Sequence, residues 1–310
     1  MTRFSRRQAL FAAAALPFAA QIFPDSAHAR AEMLGSGFAP YNRFKLGSFE
    51  VTTLLAGTVP ADKSQETFGL NASPEEFAAL SAANFIPVEM AQYFFTPTLV
   101  NTGTELVLFD TGLAADGMVA ALAAAGVAPD QVDVVVLTHM HPDHIGGLMG
   151  ADGVTPVFTA ARYVTGSVEH NHWSGAANEG FDRNVRPLNE KLTFLDDGDS
   201  PISGITAMSA AGHTPGHMVY QLESDGQRLM ITADTANHYV WSLQKPDWEV
   251  RFDADKPAAA AARKQVFGMI AADRIPFIGY HMPFPGIGYV EQIGDGFRYV
   301  PASYQMMLNG

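Results

Sequence analysis

The segment that most restricts this chain is Val132-Asp133-Val134-Val135-Val136-Leu137-Thr138, an apolar run that delivers straight into His139-Met140-His141-Pro142-Asp143-His144. A strand covered on both faces reads this way, so the run predicts a central strand with material packed on either side. Three histidines and one aspartate follow it within six residues, in a chain with ten histidines in all. His139 and His141 are two apart at a strand end, so their rings can point the same way. Pro142 stiffens the next turn, and Asp143 and His144 can face a second position beside the first. Imidazole and carboxylate suit zinc, at about four ligands per ion. One segment supplies only part of two such shells, so more ligands are expected at later strand ends.

Three places meet that expectation: His213 in Gly212-His213-Thr214-Pro215-Gly216-His217, Asp234 directly after the apolar Ile231-Thr232-Ala233, and His281 after Phe277-Ile278-Gly279-Tyr280. Each alone could be a satisfied core histidine or a turn aspartate; together they complete two four- or five-coordinate sites. The chain has no cysteine, which excludes disulfides, thiolate zinc sites and cysteine nucleophiles. A formal net charge of -13, with no run of Lys and Arg after residue 7, argues against nucleic acid and gives no attraction to anionic membranes.

At 310 residues and 47% hydrophobic, the chain can bury a large core. The pattern predicts a strand over 44–55, a polar connection over 60–75, and a helix from Ser73 to Asn84 opened by a Ser73/Glu76 capping box. Further strands are expected at about 92–101, 105–109, 132–138, 162–165, 205–209, 219–222, 228–232 and 276–279, and further helices at 114–125 and 256–272. Strands and helices alternate throughout, which predicts one α/β domain over 44–310 with helices outside packed sheets. Residues 30–43 read as a loose leader. Residues 1–29 read as an export signal: Arg3, Arg6 and Arg7, an apolar run from Ala9 to Ala20, and a small-x-small site at Ala27-His28-Ala29. The run is too short to span about 30 Å of hydrocarbon comfortably. Ser5-Arg6-Arg7-Gln8-Ala9-Leu10-Phe11 resembles a twin-arginine signal, which implies a periplasmic or secreted protein, exported folded, with no membrane segment in its mature form.

Thr138-His139-Met140-His141-Pro142-Asp143-His144 resembles the HxHxDH signature of the metallo-β-lactamase superfamily. His213, Asp234 and His281 match its later ligand positions in order, and Leu106-Val107-Leu108-Phe109-Asp110-Thr111-Gly112 resembles its upstream strand and turn. The resemblance spans roughly residues 41–305. It implies an αβ/βα four-layer sandwich, two mixed β-sheets with helices on the outer faces and metals at one edge. It further implies His139, His141 and His213 on a first zinc, Asp143, His144 and His281 on a second, and Asp234 bridging both. Asp110 is expected to orient a ligand histidine, with His217, Thr138 and Thr214 in supporting places. His170, His172 and His238 are unassigned.

Two zinc ions imply a hydrolase acting through a bridging hydroxide, with Asp143 accepting or relaying the proton; Mn, Co or Fe would fit the same N/O ligands. Phe44–Leu54, Val132–Leu148, Gly212–Leu222, Pro283–Val290 and Gly296–Tyr304 are similar to the methyl parathion hydrolase and lactonase branch. That implies opening of lactone or ester bonds in small, neutral, hydrophobic substrates, with promiscuity towards organophosphate triesters, and leaves room for a homodimer. The aromatic segment 235–255 departs from that branch and is expected to line the pocket. Phe68, Tyr93, Phe94, Trp173, Trp241 and Phe284 are candidate pocket residues. Two alternatives stand: a thioesterase resembling glyoxalase II, for which no basic glutathione site is seen, and a non-catalytic periplasmic metal-binding protein.

Overall fold

The computed structural model describes residues 36–308. The expected signal segment 1–29 and the leader as far as residue 35 lie outside the described residues. In chain order, β1 (Tyr41–Leu46) and β2 (Phe49–Leu54) form a hairpin. β3 (Gly57–Asp62), α1 (Pro74–Ala83) and β4 (Met90–Phe95) follow. Next come β5 (Thr98–Asn101), β6 (Leu106–Phe109), α2 (Ala115–Ala124), β7 (Val134–Leu137) and α3 (Pro142–Ile145). β8 (Arg162–Gly166), α4 (Ser167–Gly175), α5 (Glu179–Asn184) and β9 (Leu192–Leu195) close the first half. The second half holds β10 (Ile205–Ser209), β11 (Met218–Ser224), β12 (Gln227–Ala233), α6 (Lys256–Asp273), β13 (Phe277–Gly279), β14 (Ile287–Ile293) and β15 (Gly296–Pro301).

Seven strands make the first sheet, in the order β1-β2-β5-β6-β7-β8-β9, and six make the second, β10-β11-β12-β13-β14-β15. Both are mixed: β6 to β9 run parallel in the first, and β12 pairs parallel with β13 in the second. The expected four-layer sandwich is observed. Period-2 alternation in β7 shows why. Val134 and Val136 pack between the sheets against Ile205, Tyr220 and Ile231. Val135 and Leu137 pack outward against Met118 and Leu122 of α2 and Phe181 of α5. None of these four strand residues is exposed, and burying each stabilises the fold by roughly 1.5–3 kcal/mol. On the far side, Val266, Phe267 and Ile270 of α6 cover Val219, Met230 and Phe277 of the second sheet.

Several expected elements divide differently. The 44–55 strand is two strands joined at Gly47, whose φ is +59° and where a Cβ would stand 2.3 Å from the Ser224 carbonyl oxygen; only glycine meets both demands. The 92–101 strand breaks at Pro97, and its halves belong to different sheets. β4 pairs instead with β3 in a two-stranded ribbon, and β3 takes in residues 60–62, the start of the stretch expected to be a polar connection. Pro60 is tolerated there because β3 has a free edge. The Ser73 capping box is present. Segments α4, α5, β9, β14 and β15 were not among the expected elements. Among the described residues, no helix is long and apolar enough to cross a membrane.

Candidate metal centre

Four chain segments deliver the predicted residues to one edge of the sandwich. His139 and His141 leave the C-terminal end of β7, and α3 turns Asp143 and His144 towards them. His213 sits in the β10–β11 loop. Asp234 follows β12, where a register shift and the positive φ of Ala233 (+42°) turn the chain inward. His281 follows β13. All seven fall into three overlapping groups: His139, His141 and His213; His139, His144 and Asp234; and Asp143, His144 and His281.

In the first group, His141 Nδ1 lies 3.1 Å from His139 Nε2 and 2.9 Å from His213 Nε2. Nitrogens about 2.0–2.1 Å from a tetrahedral zinc stand about 3.3 Å apart, so this triad is spaced for such an ion. In the third group, Asp143 Oδ2 lies 3.3 Å from His281 Nε2 and 3.6 Å from His144 Nε2. Asp234 stands between them: Oδ2 is 3.1 Å from His281 Nε2 and 3.3 Å from His213 Nε2, and Oδ1 is 3.2 Å from His144 Nε2.

Outer hydrogen bonds decide which nitrogen of each ring faces inward. His144 Nδ1 donates to Asp110 Oδ2 at 2.8 Å, His213 Nδ1 to Asp253 Oδ1 at 2.9 Å, and His281 Nδ1 to the Phe94 carbonyl at 2.9 Å. His139 Nδ1 donates to Thr138 Oγ1 at 3.1 Å, and that hydroxyl donates to Asp110 Oδ2 at 2.8 Å. All four rings therefore turn Nε2 to the centre. Ligand histidines are normally oriented in this way. His144 Nε2 and Asp234 Oδ1 are buried without a hydrogen-bond partner, so orphaned acceptors converge where a cation would satisfy them. The residues present fit divalent metal.

The electrostatics agree. Burial opposes charge on His281, but Asp234 and Asp143 outweigh it and lift the pKa to about 10. Burial likewise opposes charge on His213, and the bonds to Asp234 and Asp253 hold it at about 8. Burial and then the His213 ring push His141 down to about 4. At Asp143 burial is outweighed by His144 and His281, so its carboxyl is held below the ordinary range. The carboxylates thus favour positive charge around His281 and His213, while His141 stays a neutral ring able to offer a lone pair.

The supporting cast is partly the expected one. Asp110 takes His144 and the Thr138 amide and hydroxyl. His217 spends both nitrogens, accepting from the Asp234 amide at 3.1 Å and donating to the Ala210 carbonyl at 3.2 Å; it shapes the loop and offers no free lone pair. Thr214 donates to the buried Glu169. Sequence reasoning missed four residues. Asp253 holds His213 and pairs with the buried Arg263 at 3.0 Å. Tyr280 donates to the Asp143 carbonyl at 2.5 Å and packs on His144. Glu169 is fully buried. Arg263 had a signal: it falls in the apolar series Ala259, Val266, Phe267, Ile270 of α6, and a charge on a buried stripe implies a partner.

A cavity of about 360 Å³ opens beside Asp143, Asp234 and His281, walled by Val59, Tyr93, Phe95, Leu113 and Phe252. Asn237 and Phe252 come from the 235–255 segment, as expected of it. Of the six aromatic candidates only Tyr93 lines this cavity. Phe68 and Trp241 pack into a core with Phe77, Phe94 faces a separate cleft on the ribbon's other side, Trp173 lies edge-on to His141 at 5.9 Å, and Phe284 is not in the wall. His238 stacks on Trp241 at 3.9 Å, His170 hydrogen-bonds Asn189, and His172 stands edge-on to Trp173.

The family model described as the metallo-beta-lactamase superfamily matches residues 96–276. A curated relative, the probable metallo-hydrolase YybB of Bacillus subtilis (strain 168), is 30% identical over 145 residues, covering 44% of this chain and 59% of that protein. The chain thus spans less than two thirds of that relative's length. Among solved structures, AidC, a dizinc quorum-quenching lactonase in complex with an acyl-homoserine product, superposes with a TM-score of 0.79 at 26% identity, covering 86% of this chain and 98% of AidC. The hydrolase AbOPH, of the beta lactamase superfamily, superposes with a TM-score of 0.78 at 24% identity, covering 87% and 100%; at that identity the likeness is one of fold.

Proposed function

The chain belongs to the metallo-beta-lactamase superfamily, and on that premise we propose that it is a dinuclear zinc hydrolase of neutral, hydrophobic lactones and esters. The observation that carries this reading is the joining of two ligand groups by Asp234 at the floor of an apolar cavity. Zinc held there supplies Lewis acidity and a water of lowered pKa. The chain's own residues do the rest. His139, His141 and His213 would hold one ion and Asp143, His144 and His281 the other, with Asp234 between them. Asp143 lines the cavity as a carboxylate and is the group positioned to take a proton. Val59, Leu113 and Phe252, each about 40–45% exposed, form an apolar rim for the hydrophobic part of a substrate.

No lysine or arginine lines this wall among the described residues, so nothing there would grip a glutathione carboxylate. The likeness to AidC supports a lactone, and an N-acyl-homoserine lactone is the first substrate to try. The arginine-rich start of the chain supports export to the periplasm. Purified, zinc-loaded protein is expected to open acyl-homoserine and aryl lactones in a panel that also holds aryl esters, phosphotriesters and glutathione thioesters. Cleavage of the thioesters alone overturns the reading.

A further inference from the structure

We propose that Glu169 is a positioning residue of the metal centre, a buried carboxylate that sets the spacing between the His139–His144 turn and the His213–His217 loop. The inference rests on reading the cluster as a metal site. Glu169 lies in the first turn of α4 and is completely buried. Its Oε1 accepts the Met140 amide at 2.9 Å and the Trp173 indole N–H at 2.6 Å. Its Oε2 accepts the Thr214 hydroxyl at 2.7 Å and the Gly216 amide at 3.0 Å. Met140 sits between His139 and His141, and Thr214 follows His213. Both oxygens are thus filled by donors from the two loops whose histidines form the first ligand group.

Two further features mark this contact as built. Position 216 must be glycine, because a Cβ there would stand 2.1 Å from the Glu169 amide nitrogen. Trp173 donates to Glu169 and also sets its ring edge against His141, so three neighbours of the first group answer to one carboxylate. Glu169 is absent from the cavity wall and acts only through the loops. A carboxamide cannot take its place: with one acceptor oxygen, its NH₂ would face two donors. The Thr214 hydroxyl could rotate to accept, but the Gly216 amide could not.

The test compares wild type, Glu169→Gln and Thr214→Val in metal affinity, by zinc competition against a chromophoric chelator, and in the visible spectrum of the cobalt-loaded proteins. Glu169→Gln is expected to weaken one of two zinc equivalents by about 10–100-fold, the range for partners of ligand residues, and to shift the cobalt bands. Thr214→Val, which removes one donor and keeps the shape, is expected to weaken the same equivalent by about tenfold and stands in should Glu169→Gln not fold. If folded variants bind both equivalents as wild type does, with unchanged cobalt spectra and only a lower Tm, Glu169 is merely structural and the proposal is overturned. A wild-type chain that binds no divalent metal overturns the metal site itself, a separate outcome.

Discussion

The inward-facing nitrogens of His139, His144, His213 and His281 are each held by a bond on the other side of the ring. His213 illustrates the consequence. Its Nδ1 bond goes to Asp253, whose other oxygen neutralises Arg263, buried in α6 and also bonded to the Thr235 and Pro246 carbonyls. Asp253→Asn leaves that guanidinium without its countercharge. We expect a loss of about 3–5 kcal/mol in stability, the cost of breaking a buried pair, measurable by urea denaturation, together with weaker zinc binding. A stability change under 1 kcal/mol would show that the pair carries little. His141→Ala and Asp234→Ala are expected to abolish turnover and lower bound metal, read by elemental analysis beside the rate. Asp143→Asn should keep part of its metal but lose most of its rate; an unchanged rate removes it as the proton acceptor. The histidines were legible because 139, 141 and 144 are neighbours in sequence, and Asp234 and His281 closely follow apolar strands while His213 lies in the loop after one. Glu169 and Asp253 were not, because an isolated acidic residue acquires its meaning from distant partners: Met140 and Gly216 lie 29 and 47 positions from Glu169, and His213 lies 40 from Asp253.

The elements divide into a frame and a cavity wall. α6 belongs to the frame: Phe267 is completely buried against Phe277 and Phe297. Phe267→Ala should cost about 3–5 kcal/mol in denaturant titrations while leaving KM close to the wild-type value. The wall is the β3–β4 ribbon with the 235–255 segment. β4 alternates, sending Tyr93 and Phe95 to the cavity while Phe94 faces the cleft behind, and the Phe94 carbonyl holds His281. Phe252 is 40% exposed at the rim, set edge-on to Tyr93, and belongs to none of the ligand groups, so Phe252→Ala should raise KM for long-chain lactones several-fold with little change in kcat. Equal losses in kcat for short and long substrates would count against a binding role. The ribbon was not legible because the segment holding β3 is short and interrupted by Pro60. The aromatic candidates misled because Phe68 and Trp241 meet a core as readily as a pocket; Trp241 stacks on Phe77 and donates to Ser81 of α1.

For the whole molecule, the centre joins parts of the chain from residue 139 to residue 281, so a metal held there would tie the two sheets together at one edge. A ligand that binds only the folded state adds about 2.7 kcal/mol when free metal stands at 100 times its Kd. Chelation should therefore lower Tm by several degrees, with recovery on adding zinc back; an unchanged Tm would place the ions outside the folded core. Affinity should also fall with pH. His281 and His213, at about 10 and about 8 in the metal-free chain, hold protons at neutral pH that a metal must displace, and acid adds protons at the other rings. Calorimetry in buffers of different ionisation enthalpy should register proton release on binding.

The sequence by itself determined the sandwich and the seven residues that meet at its edge, because both are written in short-range patterns: a nearly continuous apolar run for a doubly covered strand, and His or Asp at or shortly after a strand end. Only the tertiary structure decided which nitrogen each histidine presents, which buried charges hold the loops, and which aromatics meet the cavity. Those depend on distances between segments far apart in the chain, and a hydrogen bond or a packed ring exists only once the two sheets have closed on each other.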